Sequence, residues 1–145
     1  MLTPTAHFTP AEFACKSGDP YPEEWGDRWT ALSGLCEAIR EAWNGPLEVV
    51  SGYRTAAYNA SLLAEGHHPA SQSWHIQGYA ADLKPSRAPA PGEDLVLHLH
   101  DMVLRLHEAG DLPALGGLGL YPANQWVHVD LGHAPDGHLR RWSLR

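Results

Sequence analysis

Apolar positions along the chain keep two rhythms. Trp25, Trp29, Leu32, Cys36, Ile39 and Trp43 recur every three or four residues, the spacing of one face of an amphipathic helix, and Gly45-Pro46 predicts where that helix stops. A second helical rhythm, Val96, Leu99, Met102, Val103 and Leu106, predicts a helix within residues 93–110. The other rhythm has period two. Leu47-Glu48-Val49-Val50-Ser51, bounded by Pro46 and Gly52, reads as a strand that delivers Tyr53 and Arg54 at its end. Residues 79–83 read as another, with Asp82 on the face opposite Tyr79 and Leu83, and in the run from Trp126 onward Val127, Val129 and Leu131 share one face while Trp126, His128 and Asp130 share the other. Residues 116–122 read as a glycine-punctuated strand whose backbone comes close to another group.

Local punctuation supplies the rest. Thr9-Pro10-Ala11-Glu12 places a capping threonine, a proline at the first helical position and a glutamate three residues after the cap, predicting a short helix that packs Phe8 and Phe13. Thr55 predicts the cap of a helix over 56–65, stopped at Gly66; 18–22 reads as a turn and the Pro-rich 85–92 as a surface connection. No internal repeat or low-complexity tract is present.

At 145 residues the chain is about the size of one domain, and a single domain spanning 1–145 is expected. Its 17 acidic against 10 basic residues, net −7, lack the basic footprint of nucleic-acid binders, so no nucleic-acid partner is expected. No apolar run approaches the ~20 residues of a membrane helix, so no membrane partner is expected, and residues 1–7 have neither a charged nor an apolar leader segment. If Met1 is the natural start, export through its own signal peptide is not expected. Cys15 and Cys36 permit one disulfide at most and read as small buried residues, free or bridged.

The candidate chemistry lies on the polar faces. His75 with Asp82 seven residues on, joined by His128, can offer two nitrogens and one oxygen to a single Zn²⁺ and leave a fourth position open for water. A histidine seven residues from an aspartate is commonplace, and alone it reads more often as structural than as a ligand pair. Asp130 reads either as a structural carboxylate or as part of the site. The adjacent His67 and His68 read as solvated loop residues; His98 and His100, two apart on a helix, cannot chelate together; His107 suits a helix C-terminus. The glycines of 116–119 form no phosphate loop, since no Lys-Ser/Thr follows.

Taken in order, Ser51-Gly52-Tyr53-Arg54, Asn59, Ser73-x-His75-x-x-Gly78-x-Ala80-x-Asp82 and the glycine-rich 116–121 followed by Val127-His128-Val129-Asp130, with Trp142 beyond, resemble the signatures of the M15 zinc peptidases. This is the D-Ala-D-Ala carboxypeptidase and murein endopeptidase group, whose fold is shared with hedgehog signalling domains. The resemblance runs from about Phe8 to Trp142. It implies an α+β domain with a small antiparallel sheet that bears a metal site and is flanked by helices. It implies Zn²⁺ as cofactor on His75, Asp82 and His128, Arg54 as the arginine that binds a substrate carboxylate or steadies the oxyanion, and Ser73 as a serine lining the site. The implied activity is hydrolysis of an amide bond in peptidoglycan stem peptides or cross-links, by a monomer acting on the cell wall after phage lysin-like release or another export route. The rival is a metal-containing wall-binding module of the same fold without turnover. One departure stands out: many members carry Glu, Asp or His three residues before the last histidine as general base, and this chain has Gln125, whose amide cannot take a proton. Asp130 is the remaining candidate for that role, directly or by fixing an imidazole.

Overall fold

The structure, a computed structural model, describes residues 1–66, 73–134 and 136–143. The short helix at the N-terminus is a 3₁₀ turn, Pro10–Phe13, in which Glu12 Oε1 accepts the Thr9 N–H at 2.8 Å, the reciprocal bond of a capping box. It drives Phe8 and Phe13 into the core. Helix α1 (Gly26–Trp43) buries Trp29, Leu32, Cys36, Ile39 and Trp43, as the spacing predicts, while Trp25 lies one residue outside it, half-buried. Its stop differs by a residue from the expectation: Asn44, at φ 53°, takes the left-handed cap position ahead of Gly45. Asparagine tolerates that conformation better than most side-chain-bearing residues.

Thr55 caps α2 (Ala56–Ala64), its side chain accepting the Tyr58 N–H at 3.0 Å, and Asp94 caps α3 (Leu95–Glu108) through the Leu97 N–H at 3.2 Å. The strands are β1 (Leu47–Ser51), β2 (Ala80–Pro85), β3 (Gly117–Tyr121), β4 (Trp126–Asp130) and β5 (Arg140–Ser143), ordered β1-β2-β4-β3-β5 in one sheet. The expected small antiparallel sheet is corrected here. The pairs β1–β2, β2–β4 and β3–β4 are antiparallel, but β5 joins β3 in parallel, so the five-stranded sheet is mixed. The sequence pattern did not foresee β5.

Helices α1 and α3 supply the core against one face of the sheet, where Ala81, Leu83, Leu118, Val127 and Val129 are at most 1% exposed. Each larger aliphatic side chain there contributes about 1.5–3 kcal/mol on burial. That cost pins the register: a slip of one residue would turn Val127 and Val129 outward and carry His128 and Asp130 into the core. The apolar face thus decides what the opposite face presents. Cys15 and Cys36 are both buried and free. No described helix is long and apolar enough to cross a membrane.

Candidate metal centre

Two rows of cross-strand neighbours run over the face of the sheet away from α1 and α3. In one, Asp82 pairs with His128, His128 with Gly119, and Gly119 with Trp142; in the next, Ala80 pairs with Asp130, Asp130 with Gly117, and Gly117 with Arg140. Residues opposite one another on neighbouring strands share a face, so the functional side chains are adjacent by construction. The glycines of β3 make the room. A Cβ on Gly119 would lie 2.5 Å from the Trp142 indole, and one on Gly117 would collide with Asp130 and Arg140. This is the close approach expected of the glycine-punctuated strand.

His75 reaches the same place from a loop. Its backbone N–H donates to Ser73 Oγ at 3.1 Å, its carbonyl accepts from the Arg54 N–H at 3.1 Å and from Gly78 at 3.2 Å, and Gly78 turns the chain at φ 73° under Tyr21 and Trp25. His75, Asp82 and His128 are buried, and each offers one ligand atom within 4.8 Å of the others. His75 Nε2 lies 3.3 Å from Asp82 Oδ2, and His128 Nδ1 lies 3.0 Å from Asp82 Oδ1. The outer nitrogen of each ring is committed elsewhere: His75 Nδ1 sits 2.7 Å from the Gly52 carbonyl and His128 Nε2 sits 2.7 Å from Asp130 Oδ2. Since those partners accept, the outer nitrogens carry protons, so Nε2 of neutral His75 is a lone pair and Nδ1 of His128 becomes one facing the same point once its own proton is lost. Two imidazole nitrogens and a carboxylate with their outer atoms occupied form a donor set suited to a divalent transition metal, zinc included.

The charges follow from burial and neighbours. Burial pushes the His75 imidazole down, toward neutral, against the pull of Asp82 and with the help of Arg54 and His128. For His128 burial also opposes the charge, but hydrogen bonds to Asp130 and Asp82 and their negative charge outweigh it, and its pKa is pushed up to about 9. Asp82 is ionised, well below the usual carboxylate range: burial opposes its charge, and the imidazoles facing its two oxygens, His75 foremost, overcome that cost.

Asp130, wholly buried, stands beside His128 rather than at the open side of the donor set. Its Oδ1 accepts from the Gly132 N–H at 2.9 Å and from Arg140 Nη2, while Oδ2 serves His128. Arg54 projects from the end of β1, with Nη2 3.6 Å from Asp82 Oδ2, Nε donating to Ser51 Oγ at 3.1 Å and Nη1 to Asn59 Oδ1 at 3.4 Å. Ser73, almost fully buried, holds the His75 turn through its hydroxyl. Gln125 lies in the turn between β3 and β4 at φ 63°, exposed, its amide donating to the Pro122 carbonyl at 2.5 Å. His67 and His68 lie outside the described residues. His98 and His100 diverge as expected, bonding Glu93 and Asp101 respectively. Sequence reasoning missed Arg140 and the contact of Trp142 with His128, ring centroids 5.1 Å apart. The only signal for Arg140 was indirect: a buried Asp130 requires positive partners.

The family described as Peptidase M15 matches residues 6–130. The probable peptidoglycan L,D-endopeptidase MepK of Haemophilus influenzae is 29% identical over 89 residues, which cover 61% of this chain and 41% of that protein. The peptidoglycan L,D-endopeptidase MepK of Escherichia coli K12 is 30% identical over 90 residues, covering 61% and 42%. The match thus spans well under half the length of either relative. No solved structure gives a significant match.

Proposed function

The chain belongs to the M15 peptidase family, and on that premise we propose that it is a zinc-dependent peptidase that hydrolyses an amide bond in peptidoglycan stem peptides or their cross-links. The observation that carries the reading is the convergence of His75 Nε2, the Asp82 carboxylate and His128 Nδ1 with both outer imidazole nitrogens committed. Zinc held by these three residues would supply Lewis acidity toward the scissile carbonyl and acidify water at its open position. The relatives' names, L,D-endopeptidases, favour an internal L,D bond over removal of a terminal residue. The same resemblance supports a hedgehog/DD-peptidase type of fold for residues 1–145 as one domain.

The chain's own groups divide the remaining work. Arg54 is tethered by Ser51 and Asn59 and is 14% exposed, so its fork is held at the rim with little freedom to lose on binding a substrate carboxylate or a developing oxyanion. Asp130 holds the His128 tautomer. Asp82, held ionised, is already committed to both imidazoles and is not free to act as base. Gln125 supplies no base, because it is an amide and its side chain is tied to its own turn. The same departure favours the rival reading of a metal-containing wall-binding module. Zinc analysis of the wild type and of His75→Ala, Asp82→Ala and His128→Ala, together with mass spectrometry of purified sacculi digested with and without chelator, separates the two. The peptidase releases muropeptides only when loaded; a zinc-loaded protein that pellets with sacculi and releases nothing is the binding module.

A further inference from the structure

β5 brings Arg140 to the face of the sheet that carries His128 and Asp130. Parallel pairing sets it opposite Gly117, whose missing side chain lets the guanidinium cross β3 to Asp130 on β4. Its backbone N–H donates to the Gly116 carbonyl at 2.9 Å, Nε donates to the Gly132 carbonyl at 2.7 Å, and Nη2 meets Asp130 Oδ1. The guanidinium carbon lies 5.3 Å from the Trp74 ring centroid and 5.6 Å from that of Trp142. Gly132 completes the arrangement by donating its own N–H to the same Asp130 oxygen.

We propose that Arg140 is a positioning residue for the metal centre: gripped by Gly132 and the Trp74 and Trp142 rings, it fixes the Asp130 carboxylate so that His128 presents Nδ1 to the metal. The division of Asp130's oxygens carries this. Oδ1 is taken by two donors in different directions, Gly132 N–H and Arg140, which stops the carboxylate from rotating and reserves Oδ2 for His128 Nε2–H. An ammonium could neutralise Asp130, but the planar guanidinium meets the Gly132 carbonyl and Asp130 with two nitrogens held in fixed geometry, Nε and Nη2, beside the Trp74 and Trp142 rings. Trp74 adjoins the ligand His75 in sequence, and Trp142 packs on the ring of His128. Arg140 thereby joins the loop that carries one imidazole to the strand that carries the other.

The inference rests on the reading of His75, Asp82 and His128 as metal donors. Its test is a double-mutant cycle on zinc affinity of the full chain, measured by competition with a chromogenic chelator, with near-UV circular dichroism of the metal-free protein as the fold control. Arg140→Ala is expected to weaken zinc binding by about tenfold, and Arg140→Lys, which keeps the charge and loses the fork, by about threefold. Because Arg140 acts through Asp130, Arg140→Ala combined with Asp130→Asn loses little beyond Asp130→Asn alone. Wild-type affinity in both Arg140 variants, or losses that add in the double variant, overturns the proposal. If the alanine variant lacks a native near-UV spectrum, the lysine variant is read against the same two criteria. A wild-type chain that takes up no zinc removes the donor-set reading and the inference with it; a zinc-binding wild type with indifferent Arg140 variants removes the inference alone.

Discussion

Replacing Asp130 by asparagine swaps one carboxylate oxygen for an NH₂ group inside a shell where every side-chain partner donates. His128 Nε2–H, Gly132 N–H and Arg140 all point at it, and none can accept without changing state. Two orientations are open to the amide. With its nitrogen toward Gly132 and Arg140, two donors lose their acceptor, one of them charged; with its nitrogen toward His128, only one is affected. An unmet buried donor costs about 1–3 kcal/mol and more when charged, so the second orientation wins. His128 then relieves the clash by giving up the Nε2 proton and keeping the one on Nδ1, the atom that faces Asp82 and the proposed metal position. The variant is therefore expected to bind zinc about 10- to 100-fold more weakly, roughly 1.4–2.7 kcal/mol, and to fold with a loss on the order of 2 kcal/mol from the weakened Arg140 contact. Chelator competition gives the affinity, urea unfolding of the metal-free protein gives the stability, and turnover is compared at saturating zinc. Wild-type zinc affinity combined with a ~100-fold fall in turnover would refute this reasoning and make Asp130 the proton acceptor of the reaction.

The raised pKa of His128, about 9 in the metal-free protein, means that zinc must displace a proton from Nδ1; affinity should climb with pH up to that value, and calorimetry in buffers of different ionisation enthalpy should report about one proton released at pH 7. The sign for stability runs the other way: a histidine whose folded pKa exceeds the unfolded ~6.5 stabilises fully below that value and loses its contribution as pH rises through the folded pKa, so the metal-free protein should weaken over that alkaline window while the zinc-loaded protein does not. No proton release at pH 7 would show His128 already neutral. Arg54→Lys keeps a charge but cannot hold Ser51 and Asn59 while presenting a planar fork, so kcat/KM on muropeptides should drop by about 10-fold or more with zinc content unchanged; wild-type turnover would make Arg54 a bystander. Gly119→Ala places a Cβ 2.5 Å from the Trp142 indole and should displace that ring from His128, read as a shift in tryptophan emission and a several-fold loss of zinc affinity on the scale of a disturbed ligand environment. Gln125→Glu should leave turnover unchanged because that side chain bonds its own turn at Pro122, and a gain would show that the turn can swing its carboxylate to the reacting water.

Much of this molecule is written locally. The three-and-four spacing from Trp29 to Trp43 and the period-two runs at Leu47–Ser51 and Trp126–Asp130 became α1, β1 and β4, because the burial of one face is a property of a segment and its side-chain period. Caps at Thr9, Thr55 and Asp94 depend on neighbours three residues away and were equally legible for the first two. The proposed donors His75, Asp82 and His128 were named through the family resemblance, while alternation around Val127 and Val129 places His128 and Asp130 on the face opposite the core. What tertiary structure decided was partnership. Arg140-Arg141-Trp142-Ser143 carries one apolar residue in four and shows no alternation, so nothing in the segment announces a strand; it pairs because β3 offers an open edge with glycines where Arg140 and Trp142 must cross. The His75 tautomer is set by the carbonyl of Gly52, 23 residues upstream, and that of His128 by an aspartate oriented from another strand. Sequence periodicity records which face a side chain takes, whereas register and the choice of hydrogen-bond partner arise only when distant segments pack together, and here they determine which nitrogen of each imidazole would face a metal.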